Sequence, residues 1–199
     1  MLEINKRLKR IHKSLYNLDE DVLLAKPNKT INKDGFFFID FSQEKNAEDL
    51  EIAVYSVIHN IASIKDHLKE YCNKNSKIFK GDNLINSNSD VAIVHDLWNI
   101  DKHAKLNQLS RSGKIPKLIK LSQNLKLSTG VGKNSSVEIS FDPKTGKQSM
   151  KTTGDASATL NIDAEIIDEN NNLLGNLSSI CNNAISSWEN ELKNVGVIF

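Results

Sequence analysis

Residues 87–106, "SNSDVAIVHDLWNIDKHAKL", predict a helix that carries the densest cluster of chemically capable side chains in the chain. "SNSD" has the form of a capping box, with Ser87 at the N-cap and Asp90 three residues later. Apolar residues then recur at helical steps, at Ile93, Leu97, Ile100 and Ala104. This pattern predicts a helix to about Leu109, ended by "SRSG".

A polar ridge runs along the same predicted helix. His95, Asn99 and His103 are spaced four residues apart, which places them above one another on one helix face beside the apolar stripe. The preceding helix repeats the spacing with His59, Ser63 and His67. Both ridges are therefore expected at the margin of a core, where a side chain is both positioned and accessible to solvent.

The flanking segments predict an α+β protein. Helices are expected at 2–25, over the apolar stripe from Val54 to Tyr71, and from Leu173 to Leu192. "NKTINKDGFFFIDF" predicts a short hairpin turning at Asp34-Gly35, and "IPKLIKLSQNL" reads as a short amphipathic piece. Residues after about Asn124 alternate with the strand period and are separated by turn signals.

These elements predict a single domain over 1–199, mainly a helical bundle of about four long helices. The bundle comprises 1–123 and 170–199, and a β-meander at 124–169 is inserted before the C-terminal helix. The short hairpin lies near the N-terminus.

Charge is unevenly distributed along a chain whose net charge is only +1. Residues 102–126 carry seven bases and no acids, whereas 154–192 carry seven acids and no Lys or Arg. Such asymmetry is typical of a polyanion-binding side, and equally of segments that complement each other within the fold.

Cysteine spacing and hydropathy limit the class of protein. Cys72 and Cys181 have no CxxC spacing, so neither a disulfide framework nor a zinc site is indicated. No apolar run approaches the ~20 residues of a membrane span, and the N-terminal segment lacks the apolar region of a secretory signal. A cytoplasmic protein without membrane association is predicted.

The polar ridge has three interpretations. Its histidines are structural, or they perform acid/base chemistry with His103 as the proton-transfer group, or histidines from both helices bind a metal. The third lacks the Glu-x-x-His spacing of helical-bundle metal sites, and we predict no metal ligand and no cofactor. Trp98 and Trp188 both lie in helical stripes and are interpreted as core anchors rather than base-stacking platforms.

"WNIDKH" (98–103) resembles the motif of the HEPN class (higher eukaryotes and prokaryotes nucleotide-binding), which has an Arg, a polar residue that is often Asn, three further residues and a His. Asn99 and His103 match this motif, and Trp98 stands at the Arg position. "IKDHL" and "NIDKHAKL" are also similar to uncharacterised small bacterial proteins with a "DKH" helix.

The HEPN resemblance implies metal-independent RNA cleavage with His103 as general acid/base and Asn99 orienting the phosphate. Lys102, Lys105 and Arg111 would supply positive charge, with His95 as a further substrate contact. It also implies a homodimer, and a role in a bacterial toxin or anti-phage system.

Two other functions stay open. In one, the protein is a non-enzymatic interaction module that contacts a protein partner through the β-meander or the acidic C-terminal half. In the other it is a metal-binding helical bundle.

Overall fold

A computed structural model describes residues 2–16, 28–31, 37–40, 44–104, 110–128, 131–141 and 148–197. The helices are α1 (Leu2–Tyr16), α2 (Glu44–Ala62), α3 (Ile64–Lys74), α4 (Gly81–Ser87), α5 (Ser89–His103) and α6 (Leu177–Asn194). The strands are β1 (Asn28–Ile31), β2 (Phe37–Asp40), β3 (Lys117–Ser128), β4 (Ser136–Phe141), β5 (Gln148–Thr153), β6 (Ser157–Ile167) and β7 (Leu173–Asn176).

Helices and small antiparallel sheets occupy separate parts of the chain, which confirms the α+β class. In the part of the chain described, no helix is both long and apolar enough to cross a membrane.

α5 is the central helix of the protein. It contacts α2, α4 and α6, and all seven residues from Val91 to Leu97 are buried. A helix that is enclosed on every side has no exposed polar face, so the first half of α5 belongs wholly to the core. The second half leaves the core and carries Asn99 and His103, the two outer residues of the predicted ridge.

Both ends of α5 differ from their prediction. Asn88, not Ser87, is the N-cap, and its side-chain oxygen accepts hydrogen bonds from the backbone N–H groups of Asp90 and Val91 at 3.1 and 3.0 Å. The helix ends at His103 instead of about Leu109, because Ala104 adopts a left-handed conformation with φ of 56°. Residues 105–109, which include the predicted site residue Lys105, lie outside the described residues.

The helix predicted to carry both His59 and His67 is interrupted at Ser63 and forms the successive helices α2 and α3. The Ser63 hydroxyl donates back to the carbonyl of Asn60 at 3.0 Å and accepts a hydrogen bond from Arg7 of α1. Hydroxyl groups that bond to a preceding carbonyl compete with the regular helical pattern. His59 and His67 therefore lie on different helices.

The strands do not form the predicted β-meander. β3 pairs with β6 and β6 with β7, while β4 and β5 pair with each other. The pairs are nested, since Ser128 is opposite Ser157, Ser136 is opposite Thr153 and Phe141 is opposite Gln148. A meander would pair each strand with the next along the chain, whereas β3 and β4 here continue along one side of a ribbon and β5 and β6 along the other.

The predicted first strand also begins earlier than expected, because the amphipathic piece "IPKLIKLSQNL" contributes the start of β3. The N-terminal hairpin is confirmed as the antiparallel pair β1–β2, and its predicted turn at Asp34-Gly35 lies outside the described residues.

Among the side chains that the structure describes, those at the base of the ribbon join the core. Ala164 and Ile166 of β6 are buried together with residues of the helices, and β6 contacts α1 and α6. We call residues 128–157 the β-arm. Of the β-arm residues whose side chains are described, none belongs to the core.

Asp155 links the two sides of the β-arm. Its carboxylate accepts hydrogen bonds from the backbone N–H groups of Val131 and Gly132 at 3.1 and 3.3 Å. A hydrogen bond from the Ser135 side chain, together with the bond from Val131, lowers the pKa of Asp155.

Candidate functional site

Four of the predicted site residues lie along one side of α5. His95 is buried at 8 % exposure, Asn99 is half-buried, and Lys102 and His103 are exposed. At 100° per residue these four side chains span an arc of about 100° around the helix. The predicted ridge is therefore a continuous strip that leads from the core to solvent.

His95 and Asn99 form the inner half of this strip. The Asn99 Nδ2 atom lies 3.0 Å from Nδ1 of His95, so Nδ1 accepts when the amide nitrogen donates. Burial lowers the pKa of His95, and the positive charge of Lys65 lowers it further. A neutral imidazole with an unprotonated Nδ1 fits both observations, and it fixes the Asn99 amide in place.

His103 lies one helical turn beyond Asn99, at the exposed end of α5. Its imidazole forms no hydrogen bond to any of the residues described, and its neighbour Lys102 is also exposed. An exposed imidazole next to a fixed amide is a suitable arrangement for proton transfer to or from a bound ligand. The geometry thus separates a fixed group, Asn99, from an accessible one, His103.

Trp98 does not anchor the core as predicted, although Trp188 does, with 1 % exposure. The Trp98 indole is half-buried at the core margin, and its Nε1 donates to Nδ1 of His59 across the α2–α5 contact at 2.9 Å. The Lys102 ammonium lies 5.1 Å from the centre of the Trp98 ring, and the edge of the His95 ring approaches it as well. The Trp98 indole therefore lies in contact with both His59 of α2 and His95 of α5.

Arg111 lies in the loop after α5 and not on the helix itself, although its charge is one of those that lower the pKa of His95. Its guanidinium donates to the side-chain oxygen of Asn86 at 2.8 Å and lies 3.9 Å from Asp82. Asp82 also accepts from Lys65 at 2.8 Å, and this bond lowers the pKa of Asp82. The charge of Arg111 is thus partly offset by a neighbouring carboxylate on α4.

Asp96 is a key buried residue that the sequence reasoning missed. It is 1 % exposed, and its carboxylate accepts four hydrogen bonds from the loop after α5. These come from the backbone N–H groups of Arg111 and Ser112 and from the hydroxyls of Ser110 and Ser112, at 2.7 to 3.0 Å. An aspartate inside an apolar helical stretch, followed by a serine-rich loop, is the sequence signal that indicates such a contact.

A second carboxylate, that of Asp168, stabilises the turn between β6 and β7. Asp168, buried after β6, accepts hydrogen bonds from Asn172 and from the backbone of Asn170, and these bonds lower its pKa. Glu169 accepts from the backbone N–H of Ile115 at 2.8 Å. Acidic residues of the C-terminal half therefore bind the 110–116 segment, which supports internal charge complementarity for this part of the basic stretch.

The described residues contain no group of three His, Cys, Asp or Glu side chains placed to hold a metal ion. The chain matches no protein-family model, and no curated protein and no solved structure is significantly similar to it.

Proposed function

We propose that this protein is a HEPN-like, RNA-directed protein that binds RNA or a nucleotide along the second half of α5 and cleaves RNA there without a metal ion. The observation that carries the proposal is the Asn99–His103 pair, one helical turn apart, with Asn99 fixed by His95 and His103 exposed. A bacterial toxin or anti-phage system is the proposed setting.

The proposed reaction needs one group that removes a proton and one that returns a proton. The 2′-hydroxyl of RNA attacks the adjacent phosphorus, its proton passes to the His103 imidazole, and a 2′-O–P bond forms as the P–O5′ bond breaks. The leaving 5′-oxygen takes a proton from a second acid. In a homodimer, the symmetry-related imidazole of a second copy would supply that proton, which gives dimer formation a chemical role.

Charge at the site comes from the end of α5. Lys102 is exposed next to His103 and is available to contact a phosphate. Arg111 bonds to Asn86 and approaches Asp82, so we assign it a weaker part in binding than the sequence suggested. Lys105 keeps its proposed role as a further phosphate contact.

The test is cleavage of single-stranded RNA in the presence of EDTA. Wild-type protein should cleave, and His103→Ala should lower the rate by about 10²- to 10⁴-fold, since a general acid or base contributes that much. His67→Ala, a histidine on α3 outside the strip, is the matched control and should keep the wild-type rate. No cleavage by the wild type, or equal cleavage by His103→Ala, would rule out the ribonuclease.

A second candidate is a non-enzymatic interaction module that contacts its partner through the β-arm. It is favoured by the β4–β5 pair, in which residues 151–153 and Glu138 are exposed. In this case the His95–Asn99 contact is structural, and capture of a defined partner should require the β-arm and not His103.

A further inference from the structure

Trp98 is held with its ring plane fixed on a surface next to the proposed cleavage site. An indole N–H only donates, so the 2.9 Å bond to Nδ1 of His59 sets the direction of the ring. The His95 ring meets the indole edge-on, with centroids 5.5 Å apart and an interplanar angle of 69°. The indole is half-buried, and a charged side chain lies over its face.

The side chain that lies over this face belongs to Lys102, which is exposed and not part of the core. Lys102 Nζ is 5.1 Å from the ring centroid. A cation over an aromatic ring at an exposed site is worth about 2- to 5-fold in an equilibrium constant, whereas a nucleobase stacked on an aromatic side chain is worth about 5- to 150-fold. A base therefore competes favourably with the ammonium for this face.

The position of Trp98 suits a ligand that also reaches His103. The two residues are five positions apart on α5, which is a rise of about 7.5 Å and a rotation of about 140° around the helix. Lys102 lies between the two around the helix, so the ammonium displaced from the ring can contact a phosphate while staying close to its present position. The same side chain would cover the ring in the free protein and bind the backbone of the ligand in the complex.

We propose that the face of Trp98 beneath the Lys102 ammonium is a stacking platform for an unpaired base of single-stranded RNA, with Lys102 binding the adjacent phosphate. This inference rests on the proposed RNA-directed function and names the feature of RNA that the site selects. Trp98, at the position where the HEPN resemblance expects an arginine, would then contact the base instead of the phosphate. Base-paired RNA would bind poorly, because its bases are not available for stacking.

Tryptophan fluorescence tests the platform directly. Trp188 is 1 % exposed, so quenching by a bound oligonucleotide reports on Trp98. The probe is a short 2′-O-methyl oligoadenylate, which lacks the attacking hydroxyl and stays intact; a fluorescent label gives its affinity independently by anisotropy. Saturable quenching with the single strand, and little with a duplex of equal length, is the expected result.

Variants separate stacking from the structural role of the indole. Trp98→Leu should weaken binding by about 5- to 150-fold and remove the quenching. Trp98→Phe keeps an aromatic face but loses the bond to His59, so it should bind within a few-fold of wild type. If Trp98→Phe binds the oligonucleotide as weakly as Trp98→Leu, the indole acts through its bond to His59, and the stacking proposal is wrong.

The two proposals fail differently. If the oligonucleotide binds with unchanged emission and equal affinity for Trp98→Leu, the platform is excluded and RNA binding stands. If no single-stranded RNA binds at low salt, where phosphate contacts are strongest, the proposed function itself is excluded and the platform with it.

Discussion

At the scale of single residues, Asp96 is the side chain on which the most local structure depends. Its buried carboxylate accepts four hydrogen bonds from the 110–112 segment, and removing it leaves the backbone N–H groups of Arg111 and Ser112 without this acceptor. Asp96→Ala should lower the free energy of unfolding by about 2–4 kcal/mol, measured by urea denaturation.

The matched control for Asp96 is Asp101→Ala on the same helix. Asp101 is exposed, so its removal should change the free energy of unfolding by less than about 0.5 kcal/mol. Equal effects of the two substitutions would show that the loop after α5 does not depend on the buried carboxylate.

Residue patterns predicted which side chains share the surface of α5 but not what they bind. The four-residue spacing of His95, Asn99 and His103 follows from helix geometry alone, and the structure has His95 and Asn99 in contact. Trp98 was misplaced because an aromatic residue in a helical stripe resembles a core anchor. Its partner, His59, lies on another helix, and no periodicity along α5 encodes that contact.

At the scale of the helix, two substitutions distinguish the observed N-cap of α5, Asn88, from the predicted one, Ser87. Asn88→Ala should destabilise the protein by about 0.5–2 kcal/mol, because two backbone N–H groups lose their acceptor. Ser87→Ala should have almost no effect, since the Ser87 hydroxyl bonds only to the carbonyl of Leu84 at 3.4 Å. Thermal denaturation of both variants is the measurement, and a larger loss for Ser87→Ala would support the predicted capping box instead.

The strands show that a local sequence pattern can locate strands but does not determine how they pair. Alternation and turn signals located β4, β5 and β6, since those features are local. Pairing is not local: the same alternation is compatible with a meander and with a nested ribbon, and packing of the base of β6 against the helices is a tertiary contact. The start of β3 was missed because Ile115, Leu118 and Ile119 also fit helical spacing.

At the scale of the whole molecule, the β-arm should be separable from the helical core. Ser128 and Ser157 are paired directly, so a two-residue Asn-Gly turn can replace 129–156 without altering the register of β3 with β6. The shortened protein should keep its helical circular dichroism and unfold cooperatively, within a few degrees of the wild-type Tm. Loss of the cooperative transition would mean that the β-arm stabilises the core.

The same shortened protein discriminates between the two candidate functions. A ribonuclease centred on His103 should keep its activity in EDTA, whereas an interaction module that uses the β-arm should lose its partner. His103→Ala is the reciprocal variant, which abolishes cleavage and leaves partner capture intact.

The nested pairing also sets the order in which this protein can fold. β3 and β6 are far apart in sequence, yet Phe141 and Gln148, the innermost pair of the ribbon, are separated by only six residues, so this pair encloses a short segment. Pairing can then proceed from β4–β5 toward Lys117 and Ile167, each step enclosing few additional residues. Stepwise pairing along the β-arm would thus bring the buried end of β6 to the helices. A series of short-range contacts would then replace one slow long-range contact.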